Sequence, residues 1–204
     1  ADDKQGVDCE ACHRSVNGAV AQPAIDHQGM AIAALPAVDL MAPYIGNARL
    51  IWDPRDVRHG PYEDADSPAH AAVANSFGSS SELCGQCHEV LSPLRNLLDA
   101  SGRDTGFAFP LDNTYTEWAS SDFARGDAGV ARQTCVDCHM PQARGEALTV
   151  STYPSAVARA NPRMHLFAGG NEWGLDAVQA AAPDVAAARA QAFDATKTAV
   201  RAML

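Results

Sequence analysis

Three copies of one five-residue pattern constrain this chain more than any other feature. The pattern, Cys-x-x-Cys-His, occupies residues 9–13, 84–88 and 135–139. It is the attachment signature for c-type haem, in which two thiols form thioethers with the porphyrin vinyl groups. The histidine that follows then lies under the ring and binds the iron from the proximal side. The sequence therefore predicts three covalently bound haems.

The cysteine count favours haem over other cysteine chemistry, because all six cysteines belong to the three motifs. They are Cys9, Cys12, Cys84, Cys87, Cys135 and Cys138. A zinc ribbon uses two Cys-x-x-Cys pairs and needs no histidine after each second cysteine. A thioredoxin-like dithiol would place one pair in a βαβ pattern, and iron–sulfur clusters use other cysteine spacings.

The composition indicates an acidic protein with a thin core of its own. The chain has 204 residues, a net charge of −10 and an aromatic content of 6%. This length suits one domain or two joined halves, and haem would supply the apolar volume that bulky side chains do not. The negative charge argues against nucleic acid or an anionic membrane surface as partner. No apolar run approaches the roughly 18 residues that a membrane span requires.

The start of the chain and the haem prediction together suggest export. Residues 1–4, Ala-Asp-Asp-Lys, look like a mature start left after signal-peptide cleavage. Cytochrome c maturation takes place outside the bacterial cytoplasm. We therefore expect a periplasmic or extracellular location.

Local patterns favour a mainly helical chain with much irregular loop and little strand. Helices are predicted at about residues 69–77, 79–100 with an interruption near Pro93, and 114–124. Residues 148–153 form the best strand candidate. From Pro183 onward, apolar residues recur at steps of three and four, which predicts a terminal helix. We expect a triheme domain at residues 1–174, with a C-terminal helix in 175–204 packed on that domain or on a partner.

Histidines outside the motifs are candidates for the second axial ligand of each iron. The motif histidines are His13, His88 and His139, and the other four are His27, His59, His70 and His165. A second strong ligand closes a haem and suits it to electron transfer. His165 has apolar neighbours and a glycine pair at 169–170, which would let the backbone approach a ring closely.

The remaining ligand assignments stay open at this point. His70 precedes the second motif and is the other favoured distal ligand, while either His27 or His59 would complete the set. Methionine is the competing ligand type and gives a higher potential. The candidates of that type are Met30, Met41 and Met164.

Several stretches resemble the multihaem c-type cytochromes, a group that includes nitrification electron-transfer cytochromes and hydroxylamine oxidoreductase-like proteins. They are residues 6–13, 58–61, 81–88, 115–118, 138–141 and 165–170. The resemblance implies haems stacked in close pairs within a mostly helical, loop-rich shell. It also implies bis-histidine ligation, electron flow along the row of haems, and distal roles for His70 and His165. It leaves the role of His59 ambiguous.

The sequence departs from the enzymes of that group in ways that favour an electron carrier. It has no Cys-x-x-Cys-Lys motif, which marks a nitrite-reducing haem, and it has only three haem motifs. We expect electron transfer with redox partner proteins. Two alternatives are an enzyme acting on a small nitrogen or oxygen species at an open haem, and a subunit of a homo-oligomer, a cytochrome filament or a larger redox complex.

Overall fold

The fold is a mixture of short helices and small sheets. The computed structural model describes residues 8–17, 45–48, 50–53, 55–143, 145, 147–149 and 153–203. Helices account for about 35% of the described residues and strands for 21%, and these strands form three two-stranded sheets. The predicted mainly α fold with little β is therefore wrong. His27, Met30 and Met41 lie outside the described residues.

The chain divides into two compact units. The first contains the described residues within Ala1–Thr134 and Thr149–Ala158, and the second contains those within Cys135–Leu148 and Arg159–Leu204. The first two Cys-x-x-Cys-His motifs belong to the first unit and the third motif belongs to the second. The predicted division between residues 174 and 175 stays a prediction.

The first unit combines five short helices with two sheets. In chain order its elements are α1 (Cys9–His13), β1 (Val57–Gly60), β2 (Ala71–Ala74), a 3-10 helix (Phe77–Ser79), α2 (Ser81–Gly85), β3 (Val90–Leu98), β4 (Asp104–Asp112), α3 (Thr114–Ala119) and α4 (Asp122–Arg125). The pairs β1–β2 and β3–β4 form the sheets. A third small sheet pairs β5 (Leu148–Thr149) with β6 (Ala158–Arg159), so the strand expected at 148–153 begins where predicted.

The parallel pair β1–β2 replaces the helix predicted at residues 69–77. His59 in β1 lies opposite Val73 in β2, and both Val57 and His59 are buried. Alanine favours a helix by intrinsic propensity, but propensity is a weak prior that tertiary pairing overrides. Here the backbone groups of residues 71–74 bond to β1, and Asn75 N–H extends the pairing to the Gly60 carbonyl at 2.7 Å.

A long β-hairpin replaces the helix predicted to continue past the second motif. Strands β3 and β4 are antiparallel and pair Val90 with Asp112 at their base. Their connecting turn is held by the Asp99 carboxylate, which accepts the backbone N–H of Arg103 at 3.0 Å. Gly102 in that turn has a φ of +82°, which favours glycine.

Two prolines explain why a helix fails in the hairpin. Pro93 lies in β3 and Pro110 in β4. A proline in a helix interior removes a backbone donor and clashes with the preceding turn. In β4, Phe107, Phe109 and Leu111 alternate along one face and all three are exposed. This period of two is the strand signal that the helical interpretation overlooked.

The second unit contains α5 (Cys135–His139) and three C-terminal helices, α6 (Glu172–Ala181), α7 (Pro183–Ala188) and α8 (Ala190–Met203). The predicted terminal helix starts at Pro183 as expected, but it is interrupted at Arg189. Helix α8 packs on α6: Lys197 Nζ lies 2.5 Å from Asp176 Oδ1, and Val200 is buried. Among the described helices, none is long and apolar enough to cross a membrane.

Few apolar side chains are buried in either unit. Within the described ranges, the buried apolar residues are Val57, Phe77, Val136, Ala143, Ala168 and Val200. Many large apolar side chains are exposed instead, among them Trp52, Phe107, Leu166, Phe167 and Trp173. A chain of this length ordinarily buries a larger apolar set, so its side chains alone form a thin core.

Candidate functional site

Each motif begins on a helical turn that presents its two thiols together. Helices α1 and α5 coincide with the first and third motifs, whereas α2 ends at Gly85 inside the second. Residues three apart on a helix lie on the same side, so each cysteine pair can face one partner. Asp8 caps α1 by accepting the Ala11 N–H at 3.1 Å. None of the six cysteines, all of which lie within the described residues, forms a disulfide.

Two of the three motif histidines are oriented in the same way. His13 Nδ1 lies 2.8 Å from the His59 carbonyl, and His139 Nδ1 lies 2.6 Å from the Ala168 carbonyl. A carbonyl oxygen only accepts, so Nδ1 carries the proton in both rings. The lone pair is therefore on Nε2, the arrangement that metal-binding histidines have when a backbone carbonyl fixes their tautomer.

The histidine of the second motif, His88, is exposed and lies near the base of the hairpin. Asp112 accepts the Thr114 hydroxyl at 2.6 Å and the Thr114 N–H at 3.0 Å. These hydrogen bonds lower the pKa of the Asp112 carboxyl, and the proximity of His88 lowers it further. A carboxylate thus accompanies this histidine, although its ring makes no carbonyl contact like those of the other two within the part of the chain that the structure describes.

A short segment of irregular chain is bonded to the second motif. We call residues 45–48 and 50–53 the strap. Gly46 N–H donates to the Gly85 carbonyl at 3.0 Å. Ala48 N–H donates to the Gln86 carbonyl at 2.7 Å. Gly46 has a φ of +99°, and a Cβ there would lie 2.8 Å from the Glu89 carbonyl oxygen. The strap can approach the motif this closely only because residue 46 is glycine.

The other end of the strap is bonded to the chain that follows the first motif. Val16 N–H donates to the Ile51 carbonyl at 2.8 Å, and Ser15 forms an isolated bridge with Trp52. Asp53 N–H donates to the carbonyl of residue 14 at 2.8 Å. The strap therefore joins α2 to the chain directly after α1 through backbone hydrogen bonds.

The first and second motifs are neighbours as a result. Ala48 bonds to the second motif and Ile51 bonds to Val16, three residues after the first motif, and three residues of extended chain span at most roughly 11 Å. The cysteines of the two motifs also indicate that the motifs are neighbours. Burial raises the pKa of Cys12, and the electrostatic influence of Cys87 raises it further, as expected for cysteines of neighbouring motifs.

A buried carboxylate lies behind the first motif. Asp53 is 3% exposed and receives two hydrogen bonds from the Arg55 side chain, Nε at 3.0 Å and Nη2 at 2.7 Å. Asp53 Oδ2 is also 3.1 Å from His59 Nε2. Burial by itself would raise the pKa of Asp53, but the hydrogen bonds and charge of Arg55 hold it below its ordinary value. Burial lowers the pKa of His59 despite the nearby carboxylate.

Stability should depend on Asp53 in acid. Its pKa is lowered on folding, so the unfolded chain, with a carboxyl pKa of about 3.9, takes up the proton first as the pH falls. The stabilisation is fully present above that value and is lost as the pH falls through the lower, folded-state pKa. We expect an Asp53→Asn variant to be less stable than the parent at pH 7 and to lose less stability between pH 5 and 2. Denaturant unfolding across that range measures how the free energy of unfolding of each protein changes with pH. The same pH dependence in both proteins would contradict the role of Asp53.

The predicted distal histidines have different surroundings. His59 is buried, whereas His70 is half-buried with Nδ1 3.2 Å from the Ala71 carbonyl. His165 is exposed, and its ring lies edge-on to Phe167 with centroids 5.8 Å apart. His27 lies outside the described residues. The pairing of these side chains with individual irons stays a prediction.

The motif residues do not assemble into a conventional protein metal site. Among the described residues, no group of three or more His, Cys, Asp or Glu side chains is placed to hold a metal ion. A four-ligand zinc site of the ribbon type needs four converging ligands. The described thiols and imidazoles do not provide that arrangement.

Glu89 is a buried residue that sequence reasoning missed. Its carboxylate accepts the Thr116 N–H at 3.0 Å and the Thr116 hydroxyl at 2.9 Å. It therefore caps the start of α3, where Asn113 makes no side-chain cap. The 27-residue separation of the two partners explains why local patterns could not reveal this cap.

Replacing Glu89 should weaken the link between the second motif and α3. In Glu89→Gln one carboxylate oxygen becomes an NH2 group that cannot accept from Thr116, and a negative charge is lost at a helix start. Caps of this kind contribute about 0.5–2 kcal/mol. We expect a loss of that size in the free energy of unfolding. Glu82→Gln, on the exposed surface of α2, is the matched control and should change stability by less than about 0.5 kcal/mol.

No protein-family model matches this chain, and neither does any curated protein or solved structure.

Proposed function

We propose that this chain is a triheme c-type cytochrome that transfers electrons. The observation that carries the proposal is the orientation of His13 and His139, each of which donates Nδ1–H to a backbone carbonyl and so has its lone pair on Nε2, the nitrogen that would bind iron. Each of these histidines directly follows a cysteine pair of the haem-attachment spacing. The donor set therefore fits haem c.

The roles of the motif residues follow from their chemistry. The six cysteines hold the three groups covalently, and His13, His88 and His139 are the proximal ligands. When bound, each haem supplies an iron that cycles between the ferric and ferrous states in a one-electron change. His70, His165 and one further histidine are the distal ligands in this proposal, which leaves no iron open to substrate.

The thin core supports the presence of large apolar cofactors. Few apolar side chains are buried in either unit, while large ones such as Trp52 and Phe167 are exposed. Exposed apolar surface of this extent ordinarily marks a binding surface. Three macrocycles would cover part of it and would contribute the apolar volume that the side chains lack.

The strap supports direct electron exchange between the first two haems. It bonds to the second motif and to the residues directly after the first motif over roughly 11 Å of chain, and Cys87 contributes to the raised pKa of Cys12. Haems attached at these motifs would be neighbours within the first unit. The third haem would be held by the second unit.

The charge of the chain supports a basic redox partner. The net charge is −10, and the propionates of bound haem would make the protein more acidic still. Electrostatic attraction between complementary surfaces raises association rates and is weakened by salt. Periplasmic or extracellular partners with basic surfaces fit this proposal best.

The spin state of the iron tests the proposal. The protein is produced with a haem-maturation system, titrated electrochemically, and examined by electron paramagnetic resonance in the ferric state. The carrier proposal predicts reversible redox transitions, low-spin signals from all the haems, and no carbon monoxide binding after reduction. A substantial high-spin signal with carbon monoxide binding would overturn the carrier role and favour an enzyme acting at an open haem.

A further inference from the structure

We infer that His59 positions the proximal ligand His13 and does not itself bind iron, an inference that rests on the proposed haem binding. His59 belongs to the group of candidate distal ligands by sequence. Three of its contacts, from its backbone carbonyl, its imidazole and the segment that carries it, point to a different role. Each is a separate observation on the first unit.

The backbone of His59 lies behind the proximal ligand. Its carbonyl oxygen accepts the Nδ1–H of His13 at 2.8 Å. In an imidazole ring Nδ1 and Nε2 point in widely different directions, so this carbonyl is on the side of His13 that faces away from the metal. A residue in this place cannot reach the opposite face of the haem that His13 binds.

The imidazole of His59 has no room for a haem of any kind. Its side chain is 1% exposed, and Nε2 is held by Asp53 at 3.1 Å. The remaining nitrogen, Nδ1, is buried without a hydrogen-bond partner. An iron–nitrogen bond requires open space around that nitrogen for the flat macrocycle. The atoms packed around His59 fill this space, unlike those around the half-buried His70 and the exposed His165.

The segment that carries His59 is fixed to the first motif at several points. Arg14 Nη2 donates to the Asp53 carbonyl at 2.7 Å, and Arg58 Nε donates to Glu10 Oε1 at 2.7 Å. Asp53 in turn holds His59 and is itself held by Arg55. This network keeps the His59 carbonyl in place. A fixed acceptor sets the tautomer and orientation of His13 and makes the ring a stronger ligand.

The assignment also completes the ligand count. Four histidines lie outside the motifs, and three irons need distal ligands. With His59 assigned to the proximal side, the remaining set is His27, His70 and His165. The choice between His27 and His59 that the sequence left open is thereby made.

Histidine replacements test the inference. His59→Gln, His70→Gln and His165→Gln are compared for haem content, ferric spin state, carbon monoxide binding and the potential of each haem. We expect His59→Gln to keep three low-spin haems and to shift the potential of one haem alone. His70→Gln and His165→Gln should each convert one haem to a high-spin form that binds carbon monoxide after reduction.

Asp53→Asn provides a second variant that keeps the shape of the side chain. It removes a buried negative charge next to the first motif, so the potential of one haem should rise while all haems stay low-spin. If His59→Gln does not fold, Asp53→Asn tests whether a change in the contact that holds His59 alters the potential of one haem. A high-spin haem in His59→Gln would overturn the positioning role. Haem potentials that stay unchanged in His59→Gln and Asp53→Asn, or in whichever of the two folds, would also overturn it. An unmodified parent chain without haem would instead refute the proposed function.

Discussion

A variant with Cys84→Ala and Cys87→Ala is expected to bind two haems per chain instead of three and to lose the coupling between the two haems of the first unit. Without the two thiols, the second motif cannot form thioethers. The first and second motifs are the pair joined by the strap, so removal of the second haem leaves the first without a close neighbour in its unit. Haem content is measured from the pyridine haemochrome, and coupling from the split circular-dichroism signal of the Soret band.

The matched control removes the third haem instead. Cys135→Ala with Cys138→Ala should also lower the haem content to two per chain, because it destroys one motif of the same kind. Both motifs of the first unit remain intact in this variant, so the split signal should persist. Retention of that signal in the Cys84 and Cys87 variant, or its loss in the control, would contradict the neighbouring placement of the first two motifs.

Gly85→Ala is expected to destabilise the first unit and to reduce haem attachment at the second motif. A Cβ at residue 85 would lie 2.4 Å from Tyr115 Cδ2 and 2.7 Å from its Cγ. The Tyr115 ring also lies beside Trp118, with centroids 5.5 Å apart, and so has little freedom to move away. Overpacking of this kind costs about 1–3 kcal/mol. Denaturant unfolding measures this loss.

A glycine elsewhere in the same unit serves as the control. Gly78 has no heavy atom within 4 Å of the position that its Cβ would occupy, so Gly78→Ala should not destabilise the protein. A double variant, Gly85→Ala with Tyr115→Ala, should be less destabilised than the sum of the two single variants, because removal of the ring makes room for the methyl group. If the stability losses of the two single variants simply add in the double variant, residues 85 and 115 are not in contact.

The sequence shows the three candidate attachment motifs directly because their pattern is local. Two cysteines and a histidine within five residues need only one helical turn, and α1 and α5 are such turns. The hairpin was missed for a different reason. Short apolar runs do not distinguish strand from helix, although Pro93, Pro110 and the Asp99–Gly102 turn together exclude a helix.

The supporting contacts could not be predicted because they join distant parts of the chain. The carbonyl that orients His13 is 46 residues away, and the one that orients His139 is 29 residues away. A backbone carbonyl leaves no trace in residue type, so no pattern marks its position. The same holds for the strap, whose bonds to the second motif and to residues 14 and 16 come from backbone groups of ordinary residues apart from Gly46.

The central claim is that the six cysteines carry haem, and the intact mass of the protein tests it most directly. The protein is produced with a haem-maturation system, denatured, and treated with a thiol reagent before mass spectrometry. The proposed function predicts a chain heavier by three haems that reacts with no thiol reagent, since every cysteine of the sequence lies in a motif. A chain of unmodified mass with six reactive thiols would contradict the proposal.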